Sequence, residues 1–330
     1  MRVVDDTATA AHLPPPESQW RIVFRRFRRH RLAMVSIGVL LLLLLASIFA
    51  PVIAPFPRDE IQLDHTFLAP MSPDPETGTL HLLGTDHLGR DFFTRLIYAA
   101  RVSLTIAIFV ATLASLIGIS LGLLAGYFRG WVDIIITRFL EFVSTFPLLV
   151  ILLILMSVLL QNENRIPLPQ PLVDLIATLT AIPDREAKKV TLVVLGLSAL
   201  TWTTTGRLMR AQVFSVREQP YIEAVRALGA STPRIIGKHI FPNAFPPIIV
   251  DFTLQVNTNL VLEAALSFLG FGIQDPTPTW GNMLAFAQSF MFEYWWMPLV
   301  PGIPILLASL AINYIGDGLR DALDPRMKRS

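Results

Sequence analysis

The residues able to do chemistry in this chain are few and stand against an apolar background. Asp251, Gln255, Asn259 and Glu263 recur every four residues. Successive steps of four drift by about 40° around a helix, so the four side chains form a slanting stripe along one side. An ionisable group at bilayer depth costs ~2.5 to 3.5 kcal/mol on insertion scales and normally faces protein or a water-filled cavity. The stripe therefore has two readings. It borders a path for a polar solute at the junction with a second protein, or it hydrogen-bonds helix to helix and packs the bundle. A second polar set, His81, Asp86, His87 and Asp91, has the side chains of a metal site. No helical or strand spacing brings these four onto one face, so no metal is expected there. Catalytic constellations are missing too. No Gly-x-x-x-x-Gly-Lys-Ser/Thr occurs, and Gly237-Lys238-His239 lacks both the glycine loop and the hydroxyl. There is no His-Glu-x-x-His, and all six histidines fall outside the apolar stretches. The chain reads as a non-enzyme that binds no cofactor of its own, and energy for any uphill work comes from elsewhere.

The elements that hold these residues are membrane spans. Of 330 residues, 53% are hydrophobic and 16% charged, and the mean hydropathy of +0.55 excludes a soluble domain with a polar surface. Crossing a ~30 Å hydrocarbon core takes about twenty apolar residues. Six such stretches occur, near Leu32 to Ala54, Ser103 to Tyr127, Phe139 to Leu160, Val190 to Met209, Pro246 to Phe271 and Met297 to Ile315. The expected class is an all-α integral membrane protein with six transmembrane helices. The first stretch is too long for a signal-peptide core and reads as a retained anchor. With the N-terminus inside, cytoplasmic segments hold 19 of the 27 Lys and Arg residues, which places both termini and the 207–245 segment in the cytoplasm. The basic, aromatic run Trp20 to Arg31 abuts the first span, so it suits anionic lipid headgroups rather than nucleic acid. Residues 1–19, with Pro14-Pro15-Pro16, read as a disordered tail. Zero cysteines exclude disulfides and thiolate metal sites.

One water-facing stretch stands out between two spans. Tyr221-Ile222-Glu223-Ala224-Val225-Arg226-Ala227-Leu228-Gly229 makes about two helical turns with Ile222, Val225 and Leu228 on neighbouring positions of one face. Gly229 suits the left-handed residue that ends a helix. A second short helix starts where Thr232 caps and Pro233 takes the first position, and it leads to Pro242. Glu-Ala-x-x-x-x-Gly with a downstream Ile-x-Pro resembles the "EAA" coupling loop of ABC importer permeases. On the outer side, Gly84-Thr85-Asp86-His87-Leu88-Gly89-Arg90-Asp91 reads as a glycine-punctuated turn feeding an interfacial helix, with Asp91 paired to Arg95 and Phe92, Leu96 and Ala100 on the membrane side. This core resembles the signature of the C-type permease of dipeptide, oligopeptide and nickel ABC importers. The end of the chain, Asn313 to Arg326, is similar to the tail of those permeases, with Gly316, Gly318 and Asp324-Pro325 ending the sixth helix. Gly130-Trp131-Val132-Asp133, Phe146-Pro147 and Glu263 to Gly272 are similar as well.

The resemblance runs from about Trp20 to Arg326 and implies a type I ABC importer permease fold. The organisation it implies is a cytoplasmic tail and basic segment 1–31, a first helix with outer loop and interfacial helix 32–102, a five-helix core 103–316 with coupling loop 211–245, and a tail 317–330. It implies contact of Ile222, Glu223, Ala224, Val225, Leu228, Gly229 and Pro242 with an ATPase. It also implies a second homologous permease as heterodimer partner, two cytoplasmic ATPases that bind ATP and Mg²⁺, an external substrate-binding protein, and a bacterial or archaeal cell membrane. Peptides are the expected cargo, with nickel, glutathione or another small solute as alternatives. A secondary transporter would instead show paired inverted repeats, which are not visible. Val225 and Phe241 depart from the family pattern, and the outer loop 161–189 is long for it.

Overall fold

The structure is a computed structural model that describes residues 19–323. In hydrocarbon a backbone must satisfy its own polar groups, so the apolar stretches form helices. In chain order these are α1 (Gln19–Arg29), α2 (Arg31–Ile48), α3 (Phe92–Phe128), α4 (Gly130–Thr145), α5 (Leu148–Gln161), α6 (Gln170–Thr180), α7 (Asp184–Thr201), α8 (Thr203–Arg217), α9 (Pro220–Ala227), α10 (Pro246–Phe268), α11 (Trp280–Ser289) and α12 (Leu299–Leu323). Single-turn pieces lie between them, and a two-residue β-ladder pairs Ser72–Pro73 with Leu80–His81. Residues 1–18 of the expected tail 1–19 and the residues after Leu323 lie outside the described residues, and Gln19 already belongs to α1.

Among the described residues, α2, α3 and α12 are each long and apolar enough to cross a membrane. The expected third span is broken instead, because α4 and α5 meet at 88° around Phe146-Pro147. Proline pushes the residue before it out of helical geometry, and Phe146 is extended at φ −87° and ψ 142°. The expected fourth span is divided between α7 and α8 at Trp202.

Four further expectations change. The outer interfacial helix and the second span are one helix, the 37-residue α3. Phe92 and Ala100 do not face lipid but are buried, and Leu96 packs beside them, in the apolar cluster shared by α3, α10, α11 and α12. Gly316 and Gly318 lie inside α12 rather than ending it. Their bare backbone admits neighbours: a Cβ on Gly316 would sit 2.9 Å from Thr253 Oγ1, and one on Gly318 only 2.6 Å from Ala33 Cβ. The 161–189 segment is not a bare loop, since it carries α6, whose Val173 and Ile176 pack with Val190 and Val194 of α7.

Helices α3 and α8 form the tightest joint. Gly118, Gly122 and Gly126 repeat every four residues along one face of α3, so backbone meets backbone. A Cβ on Gly118 would lie 2.7 Å from Trp202 O, and one on Gly122 would lie 2.5 Å from Gly206 O. Tyr127, Met209, Val213 and Ile248 continue the contact into an apolar cluster at the end of the bundle that carries α9.

Candidate functional site

Helix α9 opens on Pro220 and sends Ile222 into that terminal cluster, where it is fully buried with Ile235 and Ile240. Val225 is half-buried, while Glu223 and Ala224 are exposed. Leu228 is 87% exposed, so it does not share the Ile222 face. Six residues at 100° each carry it about 120° away from Ile222. Gly229 adopts the left-handed conformation expected of it, at φ +78°. Its N–H donates to Arg226 O at 3.0 Å, and that of Ala230 donates to Val225 O at 3.3 Å, which closes the helix end. The next element begins one residue earlier than expected. Ser231 stands at the cap position of Thr232–Ile235 and makes no side-chain capping bond. A π-turn, Ile236–Ile240, then leads into Phe241–Ala244, which holds Pro242. Pro242 has no N–H for an α-helical bond to Lys238 O, and π-turns commonly absorb such a misfit.

The Gly84 to Asp91 segment folds back over the end of the bundle where α3 begins. Gly84 and Gly89 have φ of +75° and +74°, and a Cβ on Gly89 would meet Gln62 O at 1.8 Å. Thr85 Oγ1 donates to His65 O at 2.6 Å and accepts from Leu68 N at 2.8 Å. Asp86 accepts from the amides of Leu88 and Arg90 and from Arg90 Nε at 2.7 Å. Asp91 does not pair with Arg95. Its Oδ2 caps α3 by accepting from Thr94 N at 2.7 Å, and its Oδ1 lies 2.9 Å from His81 Nδ1. Capping wins because an N-terminal carboxylate meets free amides at once, whereas Arg95 extends the other way. Arg95 donates to Asp275 Oδ1 at 2.6 Å, and Arg90 donates to Asp275 Oδ2 at 3.2 Å. Burial works against ionisation of Asp275, but the charges of Arg95 and Arg90 outweigh it and hold the carboxyl below its usual range. This latch ties the signature segment to the loop after α10.

His81 and Asp91 do come together, through the Thr85–Asp91 bridge that sequence spacing does not reveal. His81 Nε2 also lies 3.4 Å from Asp74 Oδ2. His87 stays apart, stacked on Phe286, and among the described residues no three ligand-type side chains converge to hold a metal. The Asp74 carboxyl is lowered to about 2, chiefly by the Thr77 amide, with further help from the Thr77 hydroxyl, the Glu76 amide and His81.

The Asp251 to Glu263 stripe lies on one side of α10, and that side faces the chain's own helices. Thr205 Oγ1 donates to Asp251 Oδ2 at 2.5 Å, and Gln255 Nε2 donates to Thr201 O at 3.1 Å. Glu263 is fully buried and accepts from Ser103 and Ser267 at 3.1 and 2.8 Å. Asn259 is equally buried, yet neither amide atom has a hydrogen-bond partner among the described residues. The outward side of α10 carries Leu254, Thr258 and Val261.

A polar groove that the sequence reading missed opens between α4 and α8. A cavity of about 430 Å³ is lined by Thr137, Glu141, Ser144, Thr145, Arg207 and Arg210. A second, of about 210 Å³, shares Ser144 and reaches Gln255 and Thr258. Arg207 lies in a stretch read as apolar span, and that conflict of charge and depth was the available signal.

The whole chain compares with known proteins as follows. Residues 118–329 match the family described as binding-protein-dependent transport system inner membrane component, and residues 18–70 match the N-terminal TM domain of oligopeptide transport permease C. The dipeptide transport system permease protein DppC of Alkalihalophilus pseudofirmus is 36% identical over 96% of this chain and 94% of its own. The oligopeptide transport system permease protein OppC of Bacillus subtilis and the glutathione transport system permease protein GsiD of Pectobacterium atrosepticum are each 33% identical over 94% of this chain, and over 91% and 92% of their own length respectively.

Proposed function

Because this chain belongs to the binding-protein-dependent transport system inner membrane components, we infer that it is a permease subunit of an ATP-driven importer of short peptides. The observation that carries the reading is the union, in one chain, of the oligopeptide-permease N-terminal segment with the permease core. It is an integral membrane protein without catalysis of its own, and ATP hydrolysis belongs to a separate subunit.

The assembly we propose has a second six-span permease, which completes the path, two cytoplasmic ATPases that bind ATP and Mg²⁺, and an external binding protein that delivers peptide. The Glu223 turn suits contact with an ATPase in two ways. Ile222 anchors it to the bundle, so force applied to the turn reaches α8 and α10. Glu223 and the exposed Leu228 offer a charge and an apolar knob to a partner. ATP-driven closure of the ATPases then rocks the helices between outward and inward openings. In this reading the 211–245 segment couples, the 103–316 core carries the path, and residues 32–102 with their Gly84 to Asp91 latch frame the outer mouth.

The test is gentle purification of the tagged chain from membranes of its own host, followed by mass spectrometry. A second permease and nucleotide-binding subunits are expected to accompany it, and replacing Gly229 with a β-branched residue that resists positive φ should weaken their recovery. Recovery of the chain alone, transporting without ATP, would overturn the reading.

A further inference from the structure

The cavity between α4 and α8 holds an arginine, Arg207, that makes no ion pair among the described residues. It is lined by two arginines and one glutamate. Arg210 is committed, since Nε and Nη2 reach both oxygens of Asp133 at 2.5 and 2.7 Å. Glu141 accepts from Arg138 at 2.8 Å in an exposed pair. Arg207 makes no ion pair among the described residues, although the Glu141 carboxylate lines the same cavity. Among the described residues its one hydrogen-bond partner is the Ser144 hydroxyl across the groove. A guanidinium has five N–H donors, so most of its capacity is open.

Its position makes this significant. Arg207 follows Gly206 on α8, two residues from the Thr205 that hydrogen-bonds Asp251, so it stands at the level of Asp251 but about 200° around the helix from that contact, exposed on the α4 side. A cation at that level is costly against lipid and is stable facing water or protein. The bond to Ser144 directs it across the groove toward α4 instead of along the helix toward a headgroup. Around it the lining is mixed, with the hydroxyls of Thr137, Thr145, Thr203 and Thr258 interleaved with Leu140 in this cavity and with Phe146 and Leu200 in the adjoining one. Such a wall admits polar and apolar side chains alike.

We propose that Arg207 binds the terminal carboxylate of the peptide as it passes along this groove. The inference rests on the permease reading above and adds a ligand group and a residue to it. A planar guanidinium pairs with a carboxylate through two parallel N–H bonds. Every unmodified linear peptide carries that carboxylate whatever its side chains, so one arginine serves many sequences. The mixed wall leaves the side chains unread.

The complete importer, reconstituted in vesicles with its binding protein, provides the test. Uptake of a dipeptide and of its C-terminal amide is compared in the wild type, Arg207→Gln and Arg207→Lys. Arg207→Gln should slow the free acid about tenfold, leave the amide within about twofold, and so collapse the acid-to-amide ratio. Arg207→Lys should recover part of the loss. The binding protein is the same throughout, so its own preference cancels from the comparison. A second measurement places a photo-crosslinker at Thr145, where capture of labelled dipeptide during turnover should fall about tenfold with Arg207→Gln. Equal loss for acid and amide means that Arg207 pairs with a neighbouring subunit or a lipid phosphate, and overturns the assignment. Unchanged capture at Thr145 overturns it as well. Failure of the wild-type complex to import any peptide with ATP would instead count against the permease reading itself.

Discussion

Replacing Gly122 with alanine tests whether the α3–α8 joint holds the bundle together. An added Cβ would lie 2.5 Å from Gly206 O, 2.8 Å from Met209 Cβ and 3.0 Å from Arg210 N. Two of those atoms are backbone and cannot rotate away, so the helices must part by roughly 0.9 Å to restore an ordinary contact of about 3.4 Å. Overpacking of this kind costs ~1–3 kcal/mol, while alanine gains about 1 kcal/mol over glycine in a helix. The net loss against the wild type should be about 0–2 kcal/mol, and against an unobstructed Gly→Ala change about 1–3 kcal/mol. Gly118→Ala makes the same demand on the same joint, since its Cβ would meet Trp202 O at 2.7 Å. Once one substitution has parted the helices, the second fits more easily, so the double variant should lose less than the sum. Gly38→Ala in α2 and Gly302→Ala in α12 are the controls, with nothing within 4 Å of an added Cβ. Denaturant titration of the purified protein in mild detergent, followed by tryptophan fluorescence, reads the wild type and all five variants. If Gly122→Ala unfolds at the same denaturant concentration as Gly38→Ala, backbone contact between α3 and α8 does not limit stability.

Three other outcomes are expected. Asp275→Ala leaves Arg95 buried without its 2.6 Å partner and should destabilise this end of the bundle by about 3 kcal/mol, detectable as faster amide exchange in the 84–95 segment. Gly89→Ala combines a forbidden φ with a Cβ 1.8 Å from Gln62 O, so protease should cut between Gln62 and Asp91 in the variant and spare the wild type. The Asp74 carboxyl, at about 2 against 3.8 when free, supports the Ser72–His81 hairpin above pH 3.8 and loses that support as pH falls toward 2. Amide exchange of the hairpin should therefore accelerate between pH 4 and 2, and Asp74→Asn should flatten that change.

The membrane class, the polar stripe and the Glu223 turn were all legible in the chain, because they depend on local periodicity and on residues of unusual conformation such as Gly229. What stayed hidden depends on distant partners. Arg95 looks destined for Asp91 four residues away, but Asp275, 180 residues on, takes it. Leu228 shows the limit of reading adjacent turns as one face, since a six-residue step leaves the packed side. Phe146-Pro147 was noticed as a motif and not as a break, although a proline within an apolar stretch predicts one. Gly118, Gly122 and Gly126 carry the four-residue spacing of a close helix joint and were readable on that rule alone. The α4–α8 groove was not, because it exists only once the broken span folds its first half against α8.

Helix α3 has a mechanical consequence. Its 37 residues span about 55 Å, nearly twice a ~30 Å hydrocarbon core. One end is held by Asp91 at the cap and by Arg95 to Asp275, and the other carries the glycine seam that clasps α8. A stiff rod gripped near both ends passes a displacement from one to the other. Under the alternating-access mechanism proposed above, a movement imposed at the end nearest the Glu223 turn would therefore reach the Gly84 to Asp91 latch as a single movement of one stiff body rather than a message relayed from residue to residue.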